Sequence, residues 1–161
     1  MAKPNLSAEV LTRLAGKRLA TAESLTGGGI GQAITSVSGA SRVYAGGIIS
    51  YTNEVKHQVL GVPLDVLDTC GAVSAPVAKA MAEGTRARLG VDIAVSATGM
   101  ASPGESWEPP AGTVFVGVAS AHGTRAIPLK LSGSRAEVRQ QTVESAIGAI
   151  LAEAKEHTHE L

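Results

Sequence analysis

Two short blocks of the chain carry residues able to do covalent chemistry. In Ala22-Glu23-Ser24-Leu25-Thr26-Gly27-Gly28-Gly29 a hydroxyl stands where a short apolar stretch gives way to a glycine-rich turn and then a helical pattern. Further on, Tyr51-Thr52-Asn53-Glu54-Val55-Lys56 again follows an apolar run and supplies an amine. A serine hydroxyl is a poor nucleophile until something takes its proton, and no histidine is spaced for a Ser-His-Asp arrangement. A lysine serves instead if it is neutral. Its ordinary pKa of about 10.4 must then fall by roughly three units, which corresponds to about 4 kcal/mol of differential destabilisation of the ammonium. Placement in the first turn of a helix, desolvation behind an apolar strand and neighbouring cations would each push in that direction. Ser24 with Lys56 as its base therefore predicts a serine/lysine hydrolase.

Gly27, Gly28 and the residues around them leave backbone N–H groups open at a helix start, where they can hold a developing oxyanion or an anionic ligand group. The same residues also admit a plain role, with Ser24 or Thr26 capping the helix and Lys56 solvated on its own. The glycine run is not a phosphate-binding P-loop, because GxxxxGK[ST] is absent, and GxGxxG lacks its third glycine. His157-Thr158-His159-Glu160 has no partner cluster and reads as a solvated tail. Cys70, the one cysteine, reads as a small packed residue. No metal and no cofactor are expected.

These groups need elements to hold them. With 161 residues, 44% of them apolar, the chain is long enough to bury a core as one domain, residues 1–161. Lys plus Arg equal Asp plus Glu at 14 each, which removes bulk attraction to nucleic acid or an anionic membrane. No apolar run approaches the length of about 18 residues that a membrane span requires. The first residues lack the apolar core of a signal peptide, and a lone cysteine forms no internal disulfide, so a soluble cytoplasmic protein is expected.

Helical spacing predicts helices over 7–15, capped by Asn5 or Ser7, and over 28–37. Strands are predicted over 18–22 and 44–51. Asn53 is read as the N-cap of a short helix ending near Gly61 and Pro63, with Lys56 its third residue. Ser74 opens a helix to about Leu89, and a continuous apolar run over 91–97 suits a strand covered on both faces. Residues 98–112, with three prolines and Trp107, are too irregular for an element and long enough to be a functional loop. Strands over 113–119 and 124–131 must form an antiparallel hairpin, its second strand put at an edge by Pro128. Ser134-Arg135-Ala136-Glu137 matches a capping box opening a long helix, with the tail fraying from Glu156. The order implies an α/β fold, a three-layer α/β/α sandwich with a mostly parallel mixed sheet. Ser24, Tyr51, Lys56 and Thr98 all follow predicted strand ends, where ligand crevices form in open sheets.

At these residues the sequence resembles the CinA C-terminal domain family, the nicotinamide-nucleotide amidohydrolases. The matching blocks are Ala22-Glu23-Ser24 with Thr26-Gly27-Gly28, Gly46-Gly47 through Lys56, Gly71-Ala72-Val73-Ser74, Thr98-Gly99-Met100-Ala101 with Pro103-Gly104, Gly112-Thr113-Val114, and Arg135 to Arg139. They run in order over roughly residues 7 to 155. The resemblance implies hydrolysis of the carboxamide of nicotinamide mononucleotide to nicotinic acid mononucleotide and ammonia, in pyridine-nucleotide recycling. It implies Ser24 as nucleophile, Lys56 as base and Tyr51 in the proton network. Thr26, Gly27, Gly28, Thr98, Arg135 and Arg139 would bind or polarise the substrate, and the chain would form a homo-oligomer. Leu25, Ser102 and Ser134 depart from the family's usual Cys, Gly and Asp. Larger relatives carry an N-terminal domain similar to molybdopterin-binding folds, and the family bears a competence/damage-inducible label. The competing reading is a noncatalytic nucleotide- or partner-binding module on the same scaffold.

Overall fold

Every residue of Leu19–Glu23 (β1) is buried, as befits a central strand covered on both faces. The computed structural model of the chain describes residues 5–158. In it β1 lies between two parallel neighbours, Tyr44–Ile49 (β2) and Ile93–Gly99 (β3). Thr113–Ser120 (β4) runs antiparallel to β3 and pairs with Gly123–Lys130 (β5) through the predicted hairpin. The sheet order is β2-β1-β3-β4-β5, so β4 alone opposes the direction of the other four. Pro128 sits on the edge strand β5, where a missing N–H leaves no ladder bond unmade.

Leu6–Arg13 (α1), Gly29–Thr35 (α2) and Arg135–Thr158 (α6) cover one face. They bury Val10, Leu14, Ile30, Ile34 and Ile150 against Ile93, Val95, Val114 and Val116 of the sheet. Asn5 is the cap of α1, its side chain accepting from the Ala8 N–H. Across the sheet, Ala75–Leu89 (α5) lays Val77 and Met81 into a second core with Ala22, Leu60, Val62 and Leu67. Gly117 of β4 permits that approach, because a Cβ there would strike the Ala78 carbonyl of α5. Ser96 fastens the same carbonyl with a 2.6 Å hydrogen bond. The capping box opens α6 as predicted, with Ser134 Oγ accepting the Glu137 N–H and Glu137 Oε1 accepting the Ser134 N–H.

Some local readings change. Thr52, not Asn53, caps Asn53–Gln58 (α3), so Lys56 is the fourth helical residue. Leu64–Cys70 (α4) forms a further helix beyond the expected end near Gly61, with Pro63 restarting what Gly61 had ended. Cys70 at its end is exposed, contrary to the packed role expected of it. β3 runs on through Gly99, which places Thr98 inside the strand and not in the loop. α6 continues to Thr158, past the expected fraying at Glu156. Residues 159–161, and with them part of the His-Thr-His-Glu tail, lie outside the described residues. Among the described residues no helix is long and apolar enough to cross a membrane.

Candidate active site

At the carboxyl ends of β1, β2 and β3, Lys56 folds back from α3 until its Nζ lies 2.9 Å from the Ser24 Oγ. Nζ also donates to the carbonyls of Ser50, at 2.8 Å, and Tyr51, at 3.1 Å. Only 1% of Lys56 reaches solvent, and no carboxylate is among its hydrogen-bond partners. Burial pushes its pKa down to about 8, because an ammonium loses more solvation than a neutral amine. Near pH 7 about one molecule in ten then holds the neutral form. The helix dipole is not the cause, since α3 has six residues and Lys56 belongs to its last turn. A neutral amine has two N–H groups and one lone pair. The two carbonyls take both N–H groups, which leaves the lone pair for the Ser24 hydroxyl proton. This is the arrangement a general base needs.

A carboxylate unforeseen from sequence holds the nucleophile's turn. Glu23 is 2% exposed, and its Oε1 accepts from the Thr26 hydroxyl and the Ile30 N–H at 2.8 Å each. Its Oε2 accepts from the Gly31 N–H at 2.9 Å and the Thr21 hydroxyl at 3.2 Å. Glu23 thus occupies the start of α2, where negative charge meets the open N–H groups and the positive end of the dipole. The N–H groups of Ile30 and Gly31 are taken by Glu23, while those of Gly27 and Gly29 donate to the Ser24 and Thr26 carbonyls at 3.1 and 2.9 Å. Neither Ser24 nor Thr26 caps the helix; Gly28 does, with φ of 105°. The signal lay in a charged residue closing an otherwise apolar strand just before a helix start.

The crevice beside Ser24 has a volume of about 310 Å³ and is lined by Leu25, Tyr51, Asn53, Lys56, Ala72, Val73, Thr98, residues 99–103, Glu108 and Arg135. Of the nine site residues expected from sequence it gathers five: Ser24, Lys56, Tyr51, Thr98 and Arg135. Tyr51 reaches the lysine through its backbone carbonyl; its phenol, 59% exposed with the rest of the side chain, instead accepts from Arg135 Nη2 at 3.4 Å. Arg135 Nη1 donates to Ser102 Oγ at 3.1 Å, which holds the guanidinium at the rim. Thr98 donates to the Ala72 carbonyl at 2.8 Å and fixes the opposite wall.

Thr26, Gly27, Gly28 and Arg139 are not among the crevice's lining residues. Arg139 donates through Nε to the Leu25 carbonyl at 3.0 Å and through Nη2 to that of Thr26 at 3.3 Å. Two arginines one helical turn apart thus divide the work: Arg135 faces the crevice and Arg139 braces the turn behind Ser24. A larger cavity, of about 480 Å³, lies at the far end of the sheet beside the β4–β5 turn and includes neither Ser24 nor Lys56. Among the described residues no cluster of three or more His, Cys, Asp or Glu side chains is placed to hold a metal ion.

The chain matches the CinA C-terminal domain over residues 4–154. It belongs to the CinA C-terminal domain family. A CinA-like protein of Gemmatimonas aurantiaca is 47% identical over 130 residues, covering 80% of this chain and 30% of that protein. One from Anaeromyxobacter dehalogenans is 44% identical over 151 residues, covering 92% of this chain and 37% of that protein. The chain therefore spans about a third of the length of these curated relatives. Among solved structures, the competence/damage inducible protein CihA from Agrobacterium tumefaciens superposes with a TM-score of 0.88 at 34% identity, over 94% of this chain and 97% of that one. A CinA superfamily protein from Klebsiella pneumoniae 700603 gives a TM-score of 0.91 at 29% identity, over 96% and 99% of the two chains. The mixed five-stranded sheet with helices on both faces is the fold of that superfamily.

Proposed function

We propose that this chain is an amidohydrolase domain that converts the carboxamide of nicotinamide mononucleotide to the acid, releasing ammonia, as a step of pyridine-nucleotide recycling. The observation that carries the reading is the 2.9 Å contact between Ser24 Oγ and the buried Lys56 Nζ. Ser24 Oγ attacks the amide carbon as its proton passes to Nζ. The C–N bond then breaks, the amide nitrogen takes a proton from Lys56 and leaves as ammonia. Water attacks the acyl-serine by the same proton path and frees the acid. Arg135 at the rim supplies cationic donors for the phosphate, and its ties to Ser102 and Tyr51 hold it ready.

Cytoplasmic residence belongs to the same reading and is supported by the unpaired, exposed Cys70. So does assembly into a homo-oligomer, supported by the open edge of β2, on which Ile49 is exposed. Purified protein given nicotinamide mononucleotide should release ammonia, and Ser24→Ala should abolish release while leaving the circular dichroism spectrum unchanged. Undiminished release by that variant overturns the nucleophile. Binding across a panel of pyridine nucleotides without turnover would favour a binding module instead.

A further inference from the structure

The Ser50 hydroxyl is fully buried and has no hydrogen-bond partner among the described residues. Buried hydroxyls are costly to leave unpaired, so one that persists beside reactive groups calls for an explanation. Its position is informative. Glu23 pairs with Ile49 of β2 on one side and with Ala97 of β3 on the other. One residue further, the Ser50 N–H donates to the Glu23 carbonyl and the Ser24 N–H to that of Ala97. Ser50 and Ser24, each the residue just past its strand, and Thr98 of β3 therefore stand in a row across three adjacent parallel strands, on the face opposite Glu23. The outer two differ in state: Thr98 is bonded to Ala72, and Ser50 Oγ is free. Lys56 Nζ already touches Ser50 through its carbonyl.

We infer that Ser50 is a positioning residue of the proposed hydrolysis: its hydroxyl receives the third N–H of Lys56 once Ser24 has bonded to the substrate. The inference rests on the amidase reading above. Before attack, the neutral amine gives its two N–H groups to the Ser50 and Tyr51 carbonyls and its lone pair faces Ser24. When the Ser24 Oγ–C bond forms, the hydroxyl proton becomes the third N–H of an ammonium. Oγ, now bonded to carbon, is a poorer acceptor for it, and the free lone pairs of Ser50 Oγ stand one strand away. The proton leaves that bond for the amide nitrogen as C–N breaks, so Lys56 returns to neutrality and Ser50 to its unpaired state. A hydroxyl that satisfies the intermediate but nothing in the free enzyme stabilises the former selectively, which is the requirement for raising kcat.

The test is Ser50→Ala, which removes one buried, unpaired oxygen and threatens no packing. As a positioning residue Ser50 predicts that kcat falls about ten- to hundredfold, the worth of one hydrogen bond to a charged group. KM and the ascending limb of the kcat/KM pH profile stay in place, because the free enzyme does not use the bond. Ser50→Thr restores the rate. Full activity in Ser50→Ala, together with a higher melting temperature, overturns the inference and leaves a mere packing flaw. Wild type is assayed in parallel: its failure to release ammonia counts against the amidase reading itself. In that event labelling of Ser24 by a fluorophosphonate gives the comparison, since the phosphorus takes Oγ, fluoride departs and Lys56 takes the proton without any amide. Slower labelling of Ser50→Ala upholds the role of the hydroxyl, and equal labelling ends it.

Discussion

Lys56 concentrates the cost and the purpose of the site in one side chain. Its pKa near 8 lies below the ordinary lysine value because it is buried beside carbonyls and a hydroxyl and not beside a carboxylate. As an activity statement, kcat/KM should climb with pH and level off above about 8, and Lys56→Met should lose the climb along with the rate. As a stability statement the sign runs the other way from a salt-bridged lysine. Between about pH 8 and the ordinary lysine value the unfolded chain binds the proton more than the folded one does, so stability rises with pH across that window. Below it the desolvation cost is fully present, of order 3 kcal/mol. Lys56→Met should therefore be inactive yet more stable than wild type at pH 7, with no rise in stability from pH 8 to 10; urea unfolding at several pH values measures this.

At the scale of elements, the turn between β1 and α2 is held from two sides. Glu23 binds the N–H groups that open α2, and Arg139 of α6 binds the carbonyls of Leu25 and Thr26. Glu23→Gln turns one of the two accepting oxygens into a donor, which faces the donors it once satisfied. A loss of about 2–4 kcal/mol in unfolding free energy is expected, with activity falling alongside. The two arginines of α6 should separate kinetically. Arg135→Ala should raise KM about tenfold with little change in kcat, the mark of a group that binds substrate and reacting species alike. Arg139→Ala should chiefly lower kcat and melting temperature, because it acts on the turn that carries Ser24. Steady-state kinetics on both variants, with thermal melts, decide this.

For the molecule as a whole, the site depends on α5 lying close over the sheet, because its N-terminal approach carries the Ala72–Val73 wall of the crevice. Gly117→Val would drive a side chain into the Ala78 carbonyl and the Ser96 hydroxyl. Overpacking of this kind costs about 1–3 kcal/mol and should appear as a lower denaturation midpoint. The strand-turn-helix order, the hairpin and the capping box of α6 were legible in the chain, since periodicity, glycine and proline placement and capping chemistry act over a few residues; the Ser24–Lys56 pairing, 32 residues apart, was expected only from both groups following strand ends and from the family resemblance. Other features were not. That Thr52 and not Asn53 caps α3, or that Glu23 and not Ser24 closes the start of α2, depends on which of two neighbouring side chains turns toward the N–H groups. That Arg135 meets the crevice while Arg139 meets a backbone depends on how α6 packs, and one helical turn does not reveal it. The amino-acid order by itself determined which elements form and which reactive groups stand at strand ends, because those are local preferences. Only the tertiary structure decided the lysine's lowered basicity, the buried carboxylate's partners and the solitary Ser50 hydroxyl, because each arises where segments distant in sequence exclude water together.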